Sequence, residues 1–237
     1  MSDFKNVVKS FHGKYIKSIV YGGLDGIVTT FAVVAGASGA SLNPGIILIF
    51  GFANLIGDGI SMAFGEYVSS RAENEYKQRE KVHAESIFHS DFDQEKQRLI
   101  NSYVGKGFNE QESLQMVSLL AGNKNSFISM TLLERGIVTV EESLFIKSLY
   151  TFLSFIVFGI VPLTVYIIAF IFPEVIKHTF LIACFLTAIT LFCLGAMKVQ
   201  VTGKDWVKSG FEMLGIGGFA AMAAYGIGHL LAGLAGQ

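Results

Sequence analysis

Residues 57–67 read GDGISMAFGEY. They lie inside a run, beginning at Pro44, that is otherwise as apolar as a membrane helix, yet Asp58, Met62 and Glu66 recur in it at intervals of four. On a helix turning by about 100° per residue, Asn54, Asp58, Met62 and Glu66 drift by only about 40° per step and form one oblique stripe. An acidic side chain in hydrocarbon costs several kcal/mol and persists where it has a partner, a water path or a ligand. The stretch therefore argues for a membrane-embedded helix and for a wall that faces ions.

Composition outside this run points the same way. Of 237 residues, 51% are apolar and 16% charged, and the mean hydropathy is positive, which is too apolar for an ordinary soluble domain of this length. Charge is concentrated: residues 70–143 hold 12 of the 19 acidic and 9 of the 18 basic side chains. One polar block thus interrupts an apolar chain. Cys184 and Cys193 share an apolar run with no metal-ligand spacing or disulfide framework, and read as small buried residues. The N-terminal MSDFKNVVKSFHGKYIKS lacks an early apolar segment, so no cleaved signal peptide is expected and the first span does the targeting.

A hydrocarbon core needs about 20 helical residues per crossing. Stretches of that length occur at 16–38, 44–69, 146–172, 176–197 and 209–234. SLNPG joins the first two, with Asn43 as N-cap and Pro44 at the first helical position, and Pro173 in FPEVIK stops the third. Lys5, Lys9, Lys14 and Lys17 precede span one, the polar block follows span two, and Lys198, Lys204 and Lys208 separate spans four and five, whereas the opposite loops carry Lys177. The positive-inside rule then puts the N-terminus and the block in the cytosol and the C-terminus opposite. The fold class expected is an all-α membrane protein with five spans, divided as 1–69, a helical insert at 70–143, and 144–237.

Within the insert, apolar residues recur at helical spacing. Residues 66–88 continue span two into water, a second helix runs from Gln94 to Val104 with Leu99, Ile100, Tyr103 and Val104 as its buried stripe, and Gly105 and Gly107 end it. Asn109 followed by Glu112 forms a capping box for a helix through Leu120, and AGNKN breaks to a fourth at 125–135.

The intramembrane acids are Asp25, Asp58, Glu66 and Glu212, the last two near a boundary where an interfacial charge is ordinary. Asp25 sits in YGGLDGIVTT, whose glycines admit another backbone and whose Thr29 and Thr30 add oxygen donors; Gly22 and Gly26 also read as a helix-packing face. Carboxylates suit hard and borderline divalent ions, while a methionine sulfur is of little use to Mg²⁺ or Ca²⁺ and favours a transition metal. Met62 among carboxylates therefore fits Fe²⁺ or Mn²⁺, though a methionine alone is as readily a packing residue. In a low-dielectric span a proton and a divalent cation compete for one carboxylate, and Asp25 is the first choice for such proton coupling.

YGGLDGIVTTFAVVAGASGA in span one, ANLIGDGISMAFGEYVSSRAENEY in span two and GFEMLGIGGFAAMAAYGIGHLL in the last resemble the signature segments of the vacuolar iron transporter family. The five-span layout with a helical insert resembles it too, over nearly the whole chain. The resemblance implies a homodimer that exports Fe²⁺ from the cytosol in exchange for protons, through a path lined by spans one and two. Asp25 and Met62 would take the metal-path positions, with Asp58 and Glu66 beside them. It also implies that the insert collects metal through glutamates. Met130 and Glu134 in SMTLLERG match the family's late Met-x-x-x-Glu pair, whereas Glu73, Glu80, Glu85 and Glu95, with His83 and His89 among them, match its early glutamate run poorly. Glu80 with His83 and Glu85 with His89 can each share a helix face and bind a metal, or lie on a solvated surface.

Other classes fit less well. A di-iron carboxylate enzyme uses two Glu-x-x-His motifs, and the chain has one, EKVH at 80–83. No GxxxxGK[ST] loop for ATP-driven pumping is present. A membrane-anchored metal sensor explains the insert but not the stripe on span two. No enzymatic activity, cofactor or nucleic-acid partner is expected; the partners expected are divalent metal ions, protons, lipid and a second copy of the chain. Mn²⁺ is the alternative substrate.

Overall fold

A computed structural model describes residues 2–138, 143–172, 178–203 and 205–234, with side chains from Tyr15 onward except those of Gln200, Val201 and Thr202. The side chains of Lys5, Lys9 and Lys14, and all of Pro173, Lys177 and Lys204, lie outside the described residues. The described elements are helices: α1 (Ser2–Gly39), α2 (Pro44–Ser90), α3 (Phe92–Gly105), α4 (Glu110–Ala121), α5 (Lys124–Glu134), α6 (Leu144–Gly159), α7 (Val161–Ile171), α8 (Thr179–Thr202) and α9 (Trp206–Leu234). The chain divides into two compact units, Met1–Tyr67 with Ser143–Gln237, and Val68–Glu142. Among the described residues, four helices are long and apolar enough to cross a membrane, and a fifth crossing results if the bent pair α6–α7 counts as one.

The stretch expected as the third span, 146–172, is bent. The axis turns by 45° between Leu144–Gly159 and Val161–Ile171. Pro162 stands at the start of α7, where its missing N–H and its ring disrupt the ladder of a continuing helix. The junction is then used for packing, since Gly159 lies against the carbonyl of Gly26 and the side chain of Leu55.

Close backbone approach organises the first unit. A Cβ added at Gly22 would run into the Thr151 carbonyl, one at Gly26 into the Phe155 carbonyl, and one at Gly39 into the Tyr225 carbonyl. On α9, Gly228 meets the carbonyl of Gly36 in the same way. Small residues thus let α1 lie directly on α6 and α9, the device that replaces the hydrophobic effect between helices in lipid. Gly22, Gly26 and Gly36 thus make their close approaches inside one chain. Polar links reinforce it: Ser154 donates to the Ile19 carbonyl at 2.5 Å, and the Ser38 and Tyr166 hydroxyls lie 2.8 Å apart. Phe31, Val34, Leu55, Phe155 and Leu163 fill the core between these helices.

The α1–α2 turn follows its sequence. Asn43 accepts from the Gly45 N–H at 2.8 Å and Pro44 opens α2. α2 meets its neighbours in this unit through side chains, with Gly51 facing Leu163 and Gly59 facing Phe152, Phe155 and Ile156.

In the second unit, Leu99, Ile100, Val117, Phe127 and Met130 make one apolar core, flanked by Phe88, Phe92 and Tyr103. The capping box opens α4 as the sequence indicates, with Asn109 and Glu112 exchanging bonds of 2.8 and 3.0 Å. Ion pairs tie the helices together around Glu95, which is 6% exposed. Arg98 binds it through two bonds of 2.9 and 2.7 Å, and Arg135, the residue capping α5, reaches it at 3.3 Å and Glu80 of α2 at 3.9 Å. Burial works against ionisation of Glu95, but the Arg98 bonds and charge together with Arg135 outweigh it and hold its carboxyl below the usual value. The Lys106 ammonium and the Ser102 hydroxyl do the same for Glu134.

These observations predict two outcomes. Gly26→Val should prevent α1 from seating on α6, whereas Gly215→Ala, on α9 with nothing within 4 Å, should be tolerated; fluorescence-detected thermal unfolding in detergent compares them. Lowered carboxyl values mean that Glu95 and Glu134 stabilise the insert fully above the unfolded value of about 4.3 and lose that contribution as pH falls through their lower folded values. Amide-exchange protection of α3 in the full chain should therefore hold from pH 7 to about 5 and fall below about pH 4.5. Glu95→Gln, which leaves two guanidinium groups short of a partner, should reduce that protection at pH 7 by roughly tenfold or more, or about 1.4 kcal/mol.

Candidate metal path on the first two helices

The residues singled out in α1 and α2 fall on adjoining helices of one unit. Asp25 is half-buried on α1 between Gly22 and Gly26, so the helix segment carrying it is the one clamped against α6. Asp58 lies close enough for the two carboxylates to interact through their charges. On α2, Asp58 is exposed, while Asn54, Met62 and Glu66 are half-buried. Met62 packs against the core that includes Leu55 and Phe155. Its sulfur is thus placed by the same apolar contacts that seat α2.

Two buried polar atoms flank these acids without a protein partner, the Thr30 hydroxyl and the Asn54 amide nitrogen. A buried polar atom left unpaired costs roughly 1–3 kcal/mol, so such atoms concentrate where a ligand or water supplies the missing bond. Thr29 is different. Its hydroxyl donates to the backbone carbonyl of Asp25 at 2.7 Å and is occupied by the helix itself. Glu66 is paired with Lys147 of α6 at 2.8 Å. Glu212 pairs with Lys198 at 3.3 Å and is exposed, in keeping with an interfacial charge.

In the second unit the candidate ligands are engaged by basic residues. Glu73 pairs with Lys77 at 2.7 Å, and Glu80 lies 3.6 Å from Arg79. His83 Nδ1 is 3.3 Å from the Arg135 guanidinium and His89 Nε2 is 3.1 Å from Lys124. Glu95 is bound by Arg98 and Arg135, and Glu134 by Ser102 and Lys106. Glu85 is half-buried on α2, and Met130 is in the apolar core. The structure therefore brings Glu80, His83 and Glu95 around one guanidinium, and has Met130 in the apolar core while Glu134 is held by Ser102 and Lys106. Among the described residues, no group of three or more His, Cys, Asp or Glu is assembled to hold a metal ion.

The basic partners were missed from sequence to different degrees. Glu95 and Arg98 stand three apart on one helix, a spacing that signals a pair. Arg135 and Lys147 are 40 and 81 residues from the acids they meet, Glu95 and Glu66, and only the folded chain joins them.

Comparison with known proteins bears on this arrangement. Over 224 residues the chain is 38% identical to a vacuolar iron transporter of Toxoplasma gondii, covering 92% of this chain and 74% of the relative. It is 34% identical over 223 residues to a vacuolar iron transporter of Plasmodium falciparum, covering 91% and 82%. Vacuolar iron transporter 1 of Arabidopsis thaliana is 26% identical over 215 residues, covering 90% and 84%. The sequence profile of the VIT family matches residues 16–229, which takes in Asp25, the whole stripe on α2 and the insert, and the chain belongs to that family.

Proposed function

We propose that this protein carries Fe²⁺ across a membrane, out of the cytosol into an organelle or out of the cell, in exchange for protons. The observation that carries the reading is the succession of Asp58, Met62 and Glu66 along α2, with Asp25 of α1 near enough to Asp58 for their charges to interact. Carboxylates and a thioether together suit a borderline divalent metal better than Mg²⁺ or Ca²⁺. The names of the relatives support iron as the substrate. Mn²⁺, with similar size and ligand preference, is the alternative substrate.

One chain supplies an incomplete site. Asp58 is exposed on a helix otherwise apolar over this length, and a carboxylate is costly to leave against lipid. A second copy laid against α2 covers it and doubles the ligand set, which supports a homodimer with the path between protomers. The distribution of lysine and arginine supports five crossings with the N-terminus and insert in the cytosol. The metal acts as cargo and passes from one carboxylate to the next. Asp25 takes up a proton when the metal leaves, because both compete for the same oxygens.

In the insert, Glu73, Glu80, His83, Glu85, Glu95, Met130 and Glu134 are the positions available for collecting metal. The arginine and lysine pairs at Glu73, Glu80, Glu95 and Glu134 weaken that role in this chain, since a metal must displace a bound cation at each.

The test is Fe²⁺ uptake into proteoliposomes under reducing conditions, with and without an imposed proton gradient, with Mn²⁺ in parallel. Wild type should show gradient-stimulated flux. Asp25→Asn and Met62→Ala should lower it by about tenfold or more, the scale of losing about 1.4 kcal/mol from the path, and Asp25→Asn should remove the gradient dependence. Movement of neither metal by wild type would sink the reading, and proton-coupled flux retained in Asp25→Asn would remove Asp25 from the coupling role.

A further inference from the structure

Glu66 closes the stripe on α2, and its partner has no place in the path described so far. The Lys147 ammonium lies 2.8 Å from Glu66, and the two side chains retain only 18% and 19% of their exposure. The position of Lys147 is set from elsewhere. It stands in the first turn of α6, its carbonyl accepts from the Thr151 hydroxyl at 3.1 Å, and the backbone of Thr151 is the surface on which Gly22 of α1 rests. The lysine is therefore presented to α2 by the helix that also clamps the segment carrying Asp25. Tyr67 and Ser148, next in the chain to the two charged residues, line an apolar groove of about 400 Å³ with Phe64, Phe145, Leu149 and Phe152.

Charges flanked by hydrocarbon are weakly screened, so this pair holds more firmly than an exposed one. A carboxylate already neutralised by an ammonium offers little net charge to an arriving cation. A monovalent ion that displaced the lysine would exchange one unit of charge for another and gain little, whereas a divalent ion brings twice the charge to the same oxygens. Resting on the transport reading above, we propose that Lys147 is the resident counter-ion of Glu66, a positioning residue that the metal must displace at this end of the stripe. It sets the metal concentration at which Glu66 is engaged and biases the site toward divalent cations.

The experiment uses the full chain, with Mn²⁺ as the probe: free Mn²⁺ is read by electron paramagnetic resonance in detergent, and half-saturation of uptake is read in proteoliposomes. Lys147→Leu should tighten Mn²⁺ binding and lower half-saturation by about three- to tenfold, the scale of one partly screened ion pair. Lys147→Arg should restore wild-type values. In a Glu66→Gln background, Lys147→Leu should change neither quantity. A lysine that merely fastened α2 to α6 would alter thermal stability or the maximal rate and leave half-saturation alone. Unchanged or weaker Mn²⁺ binding by a folded Lys147→Leu chain, or the same tightening in the Glu66→Gln background, overturns the proposal. Lys147→Gln serves should the leucine variant not fold. A wild type that binds Mn²⁺ but moves no metal defeats the transport reading, while the binding comparison still decides the role of Lys147.

Discussion

The structure of the membrane-embedded unit depends on the contact between α1 and the backbone of α6. At Gly22 and Gly26 there is no room for even a methyl group, because the carbonyls of Thr151 and Phe155 occupy the space a Cβ would need. In lipid, helices gain little from burying apolar surface that hydrocarbon already solvates, so dispersion at close range and hydrogen bonds between helices carry association. Ser154 adds such a bond to the Ile19 carbonyl. With α1 fixed at this distance, Asp25 is fixed as well, since it sits between the two glycines.

Several features follow from that contact. α6 positions Lys147 at its start and Gly159 at its end, the first beside Glu66 and the second beside Leu55 and Gly26. The bend at Pro162 redirects α7, and Leu163 just beyond it packs against Gly51 of α2. α2 is thus seated by side chains at Gly51, Leu55 and Gly59 and by the ion pair at Glu66. That seating leaves Asp58 outward and Met62 partly inward on one helix, the arrangement on which the transport reading rests.

The insert obeys a different physics. Its helices surround a conventional apolar core, and its carboxylates are balanced by arginine and lysine. Arg135 joins α2, α3 and the end of α5 through Glu80, His83 and Glu95. In a buried setting the removal of either partner is costly because it strands the other charge. The charge balance that stabilises this unit also occupies groups that would otherwise be free to bind a cation.

Much of the architecture was legible in the amino-acid sequence because it is set by local rules. The apolar runs gave the membrane helices, Asn43–Pro44 the start of α2, and the Asn109–Glu112 box the start of α4. The stripe of Asp58, Met62 and Glu66 needed only the helical period. Pro162 was also in plain view, yet a proline near the middle of an apolar run either kinks a helix or is absorbed by it, and the packing of α6 and α7 decided for the 45° bend. The sequence could equally assign Gly22, Gly26 and Gly36 to contacts within or between chains; tertiary structure assigned them within. It could not give the partners of Glu66 and Glu95. An ion pair between residues 81 or 40 positions apart is decided by which helices come within a few ångströms, and that distance is a property of the folded chain alone.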